Sequence, residues 1–215
     1  MTDYDLMIDT GRAFYTRLTE NNTKEWWEAN RQTYDTILKP AAEALLTELV
    51  GPLSNIAGAP VRPKLFRPHR DVRFSKDKTP YKPHLHMLWQ VEDAQAPATP
   101  AYFFGLAPDY VIAGGGILAF DKPVLENWRK FVDLDADRVA DIFGGLAKAG
   151  FTLREPALKK VPPPYPADHP QADLLRMKAC VATRPLGVGP VPDAILSAFR
   201  DLKPMNEFLL QVACA

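Results

Sequence analysis

Over the first 50 residues the apolar positions recur at helical spacing. Leu6, Ile8, Phe14, Tyr15 and Leu18 predict a helix over about residues 1–20. "ENNTKE" breaks it. Asn22, with Glu25 three residues on, has the form of a capping box for a second helix carrying Trp26, Trp27, Asn30, Tyr34 and Leu38. Pro40 should kink or restart that helix, which then continues over 41–50 to the breaker Gly51-Pro52. After that the period drops to two. "DVRFS" sets Val72 and Phe74 against Asp71, Arg73 and Ser75, and "HLHMLW" sets Leu85, Met87 and Trp89 against His84, His86 and Leu88. "AYFFGLA" and "YVIAGGGI" predict two further strands joined at Pro108-Asp109, and the short links predict an antiparallel meander.

Helices resume at Asp121-Lys122-Pro123, with one to about Val132 and another over about 135–148. "REPALKKVPPPYPADHP" is a rigid, proline-rich connector. "QADLLRMKACVATRPL" starts helical and becomes a strand, and "VPDAILSAFRDLKPMNEFLLQV" predicts an amphipathic helix interrupted near Pro204. The pattern gives an α+β fold: an antiparallel sheet of four to six strands with helices packed mainly on one face. One domain is expected over 1–215, helical in 1–50, sheet over about 66–117, and helical again in 121–215.

Composition narrows the class. The chain is 47% hydrophobic and 10% aromatic over 215 residues, enough to bury a sizeable core. No apolar run approaches the ~20 residues of a membrane helix, and the N-terminus is acidic where a signal peptide would be basic. Cys180 and Cys214 fit neither a disulfide framework nor a metal motif. The expectation is a cytoplasmic protein with no membrane association.

Charge changes the picture more. Lys+Arg and Asp+Glu are 26 each, so no global field draws the protein to nucleic acid or membrane. Yet residues 62–84 hold eight basic residues, Arg62, Lys64, Arg67, Arg70, Arg73, Lys76, Lys78 and Lys82, against Asp71 and Asp77. That segment carries +6, leaving −6 for the rest. If the two alternating segments pair, their polar faces coincide and the linking "SKDKTPYKP" arches over them. Arg70, Arg73, Ser75, Lys76, Lys78 and Lys82 then converge, with Arg176 able to add to them. Planar guanidinium forks, mobile ammonium groups and hydroxyl donors together suit phosphate, sulfate or carboxylate. Tyr81, His84 and His169 are the candidates for proton transfer beside such an anion.

Other signals are thinner. His84-x-His86, with Asp71 or His169, has metal-like spacing, but the surrounding cations would repel a divalent ion, so no metal and no cofactor is expected. A structural reading has Asp168 cap a helix opening near Pro170, with His169 packing on the connector. "GGGI" lacks the spacing of a dinucleotide fingerprint and reads as a bulge or a close backbone approach. No G-x-S-x-G elbow is present.

"RDVRFSKDKTPYKPHL" resembles the signature of a family of conserved hypothetical proteins, domain-of-unknown-function family 2461. The resemblance extends through Leu18, Asn21, Asn22, Trp26, Asn30 and Tyr34, through Gly114 to Ile117, and through Asp168, His169, Pro170, Asp173, Leu174, Leu175, Arg176 and Lys178. His69 and His86 depart from the family's pattern. The resemblance brings no assigned activity, substrate or cofactor. Three functions stay open: a basic pocket for a small anionic, phosphorylated ligand, with hydrolysis or group transfer as its chemistry; a nucleic-acid-binding module on the same patch; or a structural or protein-interaction role. Neither enzyme activity nor oligomeric state is set by the sequence.

Overall fold

The structure is a computed structural model that describes residues 3–96 and 98–215. Helix α1 (Asp3–Glu20) and α2 (Lys24–Thr33) are followed by a π-helical turn (Tyr34–Leu38) that runs directly into α3 (Lys39–Glu48). The turn lies just ahead of Pro40, which has no N–H to offer the carbonyl four residues back, and the Lys39 N–H reaches Tyr34 instead. Gly51-Pro52 does not end this helical region. Both sit in the first turn of α4 (Val50–Ala57), where a proline's missing N–H costs nothing, and the chain stops at Gly58 in a left-handed conformation.

A six-stranded antiparallel sheet follows among the described residues: β1 (Val61–Leu65), β2 (Leu85–Val91), β3 (Ala101–Leu106), β4 (Val111–Ile117), β5 (Thr152–Leu153) and β6 (Cys180–Pro185), in the order β1-β2-β3-β4-β6-β5. Helices α5 (Lys122–Leu134), α6 (Ala136–Lys148), the short α7 (Ala172–Leu175) and α8 (Val191–Cys214) complete an α+β fold. α8 runs unbroken through Pro204, whose flanks Leu202, Met205 and Phe208 are fully buried. The interruption expected there does not occur, because core packing outweighs one missing backbone bond.

The helices gather on the sheet face formed by Leu85, Met87, Trp89, Tyr102, Phe104 and Ala182. Phe199 of α8 meets Trp89 and Tyr102, and the Trp89 indole donates to the Leu46 carbonyl at 2.9 Å. The glycines of β4 let β6 come close. A Cβ at Gly114 would lie 2.5 Å from the Ala182 carbonyl, and Gly116, at φ 125°, would put one 1.9 Å from the Cys180 carbonyl. What approaches them is a neighbouring strand, as the close-approach reading expected.

The other sheet face carries Lys64, Phe66, His84, His86 and Phe103, half-buried or exposed. It is reached from a strand the sequence did not reveal. β1 holds Pro63 between Arg62 and Lys64, and it lies at the sheet edge, where a proline is tolerated. The strand expected at Asp71–Ser75 is absent, and Phe74, expected in the core, is 97% exposed.

Candidate functional site

The site is built by an extension of the β1–β2 hairpin. Beyond the pair Leu65–Met87, the Phe66 N–H donates to the His86 carbonyl, Lys82 N–H to Pro68 and Arg70 N–H to Pro80, and His69 bridges Tyr81. Between the Leu65–Met87 and His69–Tyr81 pairs, the returning strand holds two residues more than the outgoing one. The excess is a bulge at Lys82, Pro83 and His84. A bulge re-aims the side chains it carries. Here it brings the His84 ring to 3.7 Å from that of His86, stacked at 21°.

One contact set fastens the ribbon to the helices. Tyr81 is 3% exposed and stacks on Trp27 at 4.4 Å. The Asn22 amide pairs with the Tyr81 backbone in both directions, donating to its carbonyl at 2.9 Å and accepting from its N–H at 3.1 Å. Asn22 is therefore not the cap of α2. Thr23 caps it, its hydroxyl accepting from the Trp26 N–H.

At the base of the ribbon, the ammonium groups of Lys64 and Lys82 lie 4.9 and 5.7 Å from the Phe66 ring centre. Lys82 also donates to the Arg67 carbonyl at 3.2 Å. Among the described residues no carboxylate lies within ion-pair distance of Lys64, Arg67 or Lys82. Burial lowers the Lys82 pKa, and the like charges of Arg67, Lys64 and Arg70 lower it further. The two imidazoles beside it are held neutral. Burial, then Lys82 and Arg70, lowers His84; burial, then His84 and Lys82, pulls His86 down to about 3. His86 Nε2 shares a 2.8 Å hydrogen bond with the Tyr110 hydroxyl. His84 and Tyr110 line a cleft of about 410 Å³ with Thr16, Thr19, Glu20 and Asp109.

The tip, residues 71–79, is arranged differently. Arg70 donates to the Asp77 carboxylate and the Thr79 hydroxyl, and Asp77 accepts from the Thr79 N–H at 2.9 Å. These bonds hold the Asp77 carboxyl down at about 2. Arg73 forks onto Asp71 at 3.0 and 2.6 Å, and Lys78 donates to the Val72 carbonyl at 2.9 Å. Ser75 closes a turn through its N–H to Val72, and Lys76 is exposed. The arch expected over the polar sheet face is thus a self-bonded turn.

His169 and Arg176 have partners in another region. His169 Nε2 lies 3.2 Å from Asp133 of α5, and its Nδ1 accepts from the Gln171 N–H. Arg176 ends α7, bonded to Asp173 and the Lys159 carbonyl. Of the residues singled out in the sequence, the fold brings together Lys82, His84 and His86, with Arg70 beside them. Lys64, Phe66, Arg67 and Tyr110 join them without having been named as site residues. The one signal for Lys64 and Arg67 was their membership in the basic run.

The chain matches, over residues 11–208, the model of a family described as "Conserved hypothetical protein (DUF2461)", and it belongs to that family. No curated protein matches it.

Proposed function

We propose that this DUF2461 protein binds a small anionic molecule, a phosphorylated one by preference, at the hairpin bulge. The observation that carries the reading is the Lys82 ammonium group. It is crowded by Lys64, Arg67 and Arg70, and no ion pair compensates it among the described residues. An anion entering there would neutralise repulsion that the free protein otherwise bears. Lys82 and Lys64 would supply point charges, and Arg67 a planar fork for two phosphate oxygens.

The chemistry next to the anion favours hydrolysis or group transfer over redox or metal chemistry, on the residues present. A neutral His84 can take a proton from water or an attacking hydroxyl, and the His86–Tyr110 bond would hold its stacked neighbour in place. Tyr81 enters this reading as an anchor, since its ring is spent on the Trp27 stack. The reading places the protein in the cytoplasm, in keeping with two free thiols. No helix among the described residues is long and apolar enough to cross a membrane.

The test is a thermal-shift screen against inorganic phosphate, nucleotides and sugar phosphates, with Lys82→Gln alongside. A ligand at a hundredfold excess over its dissociation constant adds about 2.7 kcal/mol to stability. Stabilisation of the wild type but not of Lys82→Gln supports the site; equal stabilisation of both, or of neither, rejects it. A nucleic-acid-binding module is the second reading, favoured by the two ammonium groups over Phe66. It predicts affinity for oligonucleotides that falls steeply with salt.

A further inference from the structure

The base of the hairpin accounts for the cations but not for the apex. Phe74 stands with Arg73 at the corners of the Val72–Ser75 turn and is 97% exposed. The turn is not loose. Arg70 ties Asp77 and Thr79 together beneath it, Lys78 holds the Val72 carbonyl, and the Arg73 guanidinium lies 5.9 Å from the Phe74 ring. A self-bonded turn that holds a phenyl ring in water is a projecting knob. Its collar is basic: Arg73, Lys76 and Lys78, with Asp71 bonded to Arg73 and Asp77 bonded to Arg70 beneath.

A receptacle of opposite character lies elsewhere on the molecule. Between α1, α3 and the start of α8 runs a groove of about 650 Å³, lined chiefly by Tyr4, Leu6, Ile37, Pro40, Ala44 and Val191. Leu6 is 42% exposed in it, an apolar surface open to solvent. Asp3 is the one charged residue lining the groove among the described residues. The carboxylates of Asp3 and Glu48 both act on the Tyr4 hydroxyl, so this edge is acidic.

We propose that Phe74 of one copy of the chain docks in this groove of a second copy. The apolar ring meets an apolar cleft, and the basic collar meets an acid-edged rim. The chain as a whole favours the same pairing. Its net charge is zero, so like copies do not repel, while its charge is sorted into a +6 segment and a −6 remainder. Reciprocal docking closes a twofold dimer; one-way docking propagates a chain. The residues used are not those of the anion site, and neither claim depends on the other.

Sedimentation velocity of the full chain at low salt, from low to high micromolar concentration, tests this. The wild type should associate with rising concentration, and less so as salt screens the collar. Phe74→Ser and Ala44→Trp alter exposed positions, so both variants should keep the wild-type melting temperature and phosphate response while sedimenting as monomers. Mixing the two should restore association, because one variant supplies an intact groove and the other an intact ring. A wild type that stays monomeric, association that survives Phe74→Ser, or a mixture that stays monomeric would overturn the proposal. So would a monomer whose Phe74 is needed instead to bind oligonucleotide or anionic vesicles.

Discussion

The tip and the base of one hairpin hold the same kinds of residue and treat them in opposite ways. At the tip, residues 71–79 with Arg70 beneath them, Arg70, Arg73 and Lys78 each have a protein acceptor, and two of them have a carboxylate. At the base, Lys64, Arg67 and Lys82 form no ion pair with a carboxylate among the described residues, and burial, then the like charges of Arg67, Lys64 and Arg70, lowers the Lys82 pKa. Paired cations order a turn. Unpaired cations brought together by a bulge are what the proposed anion site rests on. A count of lysines and arginines cannot tell the two apart; the placement of Asp71 and Asp77 can.

The comparison depends on the ribbon keeping its shape, so its anchor is where the largest effect is expected. Tyr81→Ala removes a buried ring stacked on Trp27 and should cost about 3–5 kcal/mol, read from urea denaturation. Tyr81→Phe keeps the stack and should leave both stability and phosphate binding near wild type. A loss of binding in a stable Tyr81→Phe would return the hydroxyl to the list of reacting groups. Asn22→Ala leaves the Tyr81 backbone pair unsatisfied and should cost about 1–3 kcal/mol in the same assay.

Acid should weaken the base through His86. The folded protein binds a proton there only near pH 3, whereas the unfolded chain binds one below about 6.5. Between those values the unfolded state holds more protons, so stability declines as pH falls from about 6.5 toward 3. With allowance for partial exposure, the step from pH 7 to 5 should cost about 1–2 kcal/mol. His86→Phe should flatten that slope. At the smallest end, Arg73→Ala removes a solvent-exposed pair with Asp71 and should leave the melting temperature unchanged.

Much of the fold was legible because burial imposes a period. Leu85, Met87 and Trp89 alternate with half-buried partners, and Asp121 caps α5 through the Val124 N–H as its position predicts. Legibility failed where local pattern and tertiary context part. "DVRFS" alternates as a strand does, yet its apolar members do not share a core, and Phe74 points into water. β1 has the reverse problem: with Pro63, Lys64 and Arg62 it carries no alternation, and only its pairing with β2 makes it a strand. The site was half legible. The basic run lies on the hairpin of the candidate site, but the bulge that stacks His84 on His86 arises from an offset between two strands. His169 looked like a partner for it and is held by Asp133 instead.

The most direct measurement is calorimetric titration of inorganic phosphate into two double variants, one at the base and one at the tip. The base variant is Arg67→Gln with Lys82→Gln; the tip variant is Arg73→Gln with Lys76→Gln. Each loses two positive charges, so the global field changes equally. Phosphate affinity should fall at least about tenfold, or 1.4 kcal/mol, in the base variant and change by less than about twofold in the tip variant. Equal losses in the two would mean that phosphate senses only net charge. A larger loss in the tip variant would move the site to the turn and contradict the account.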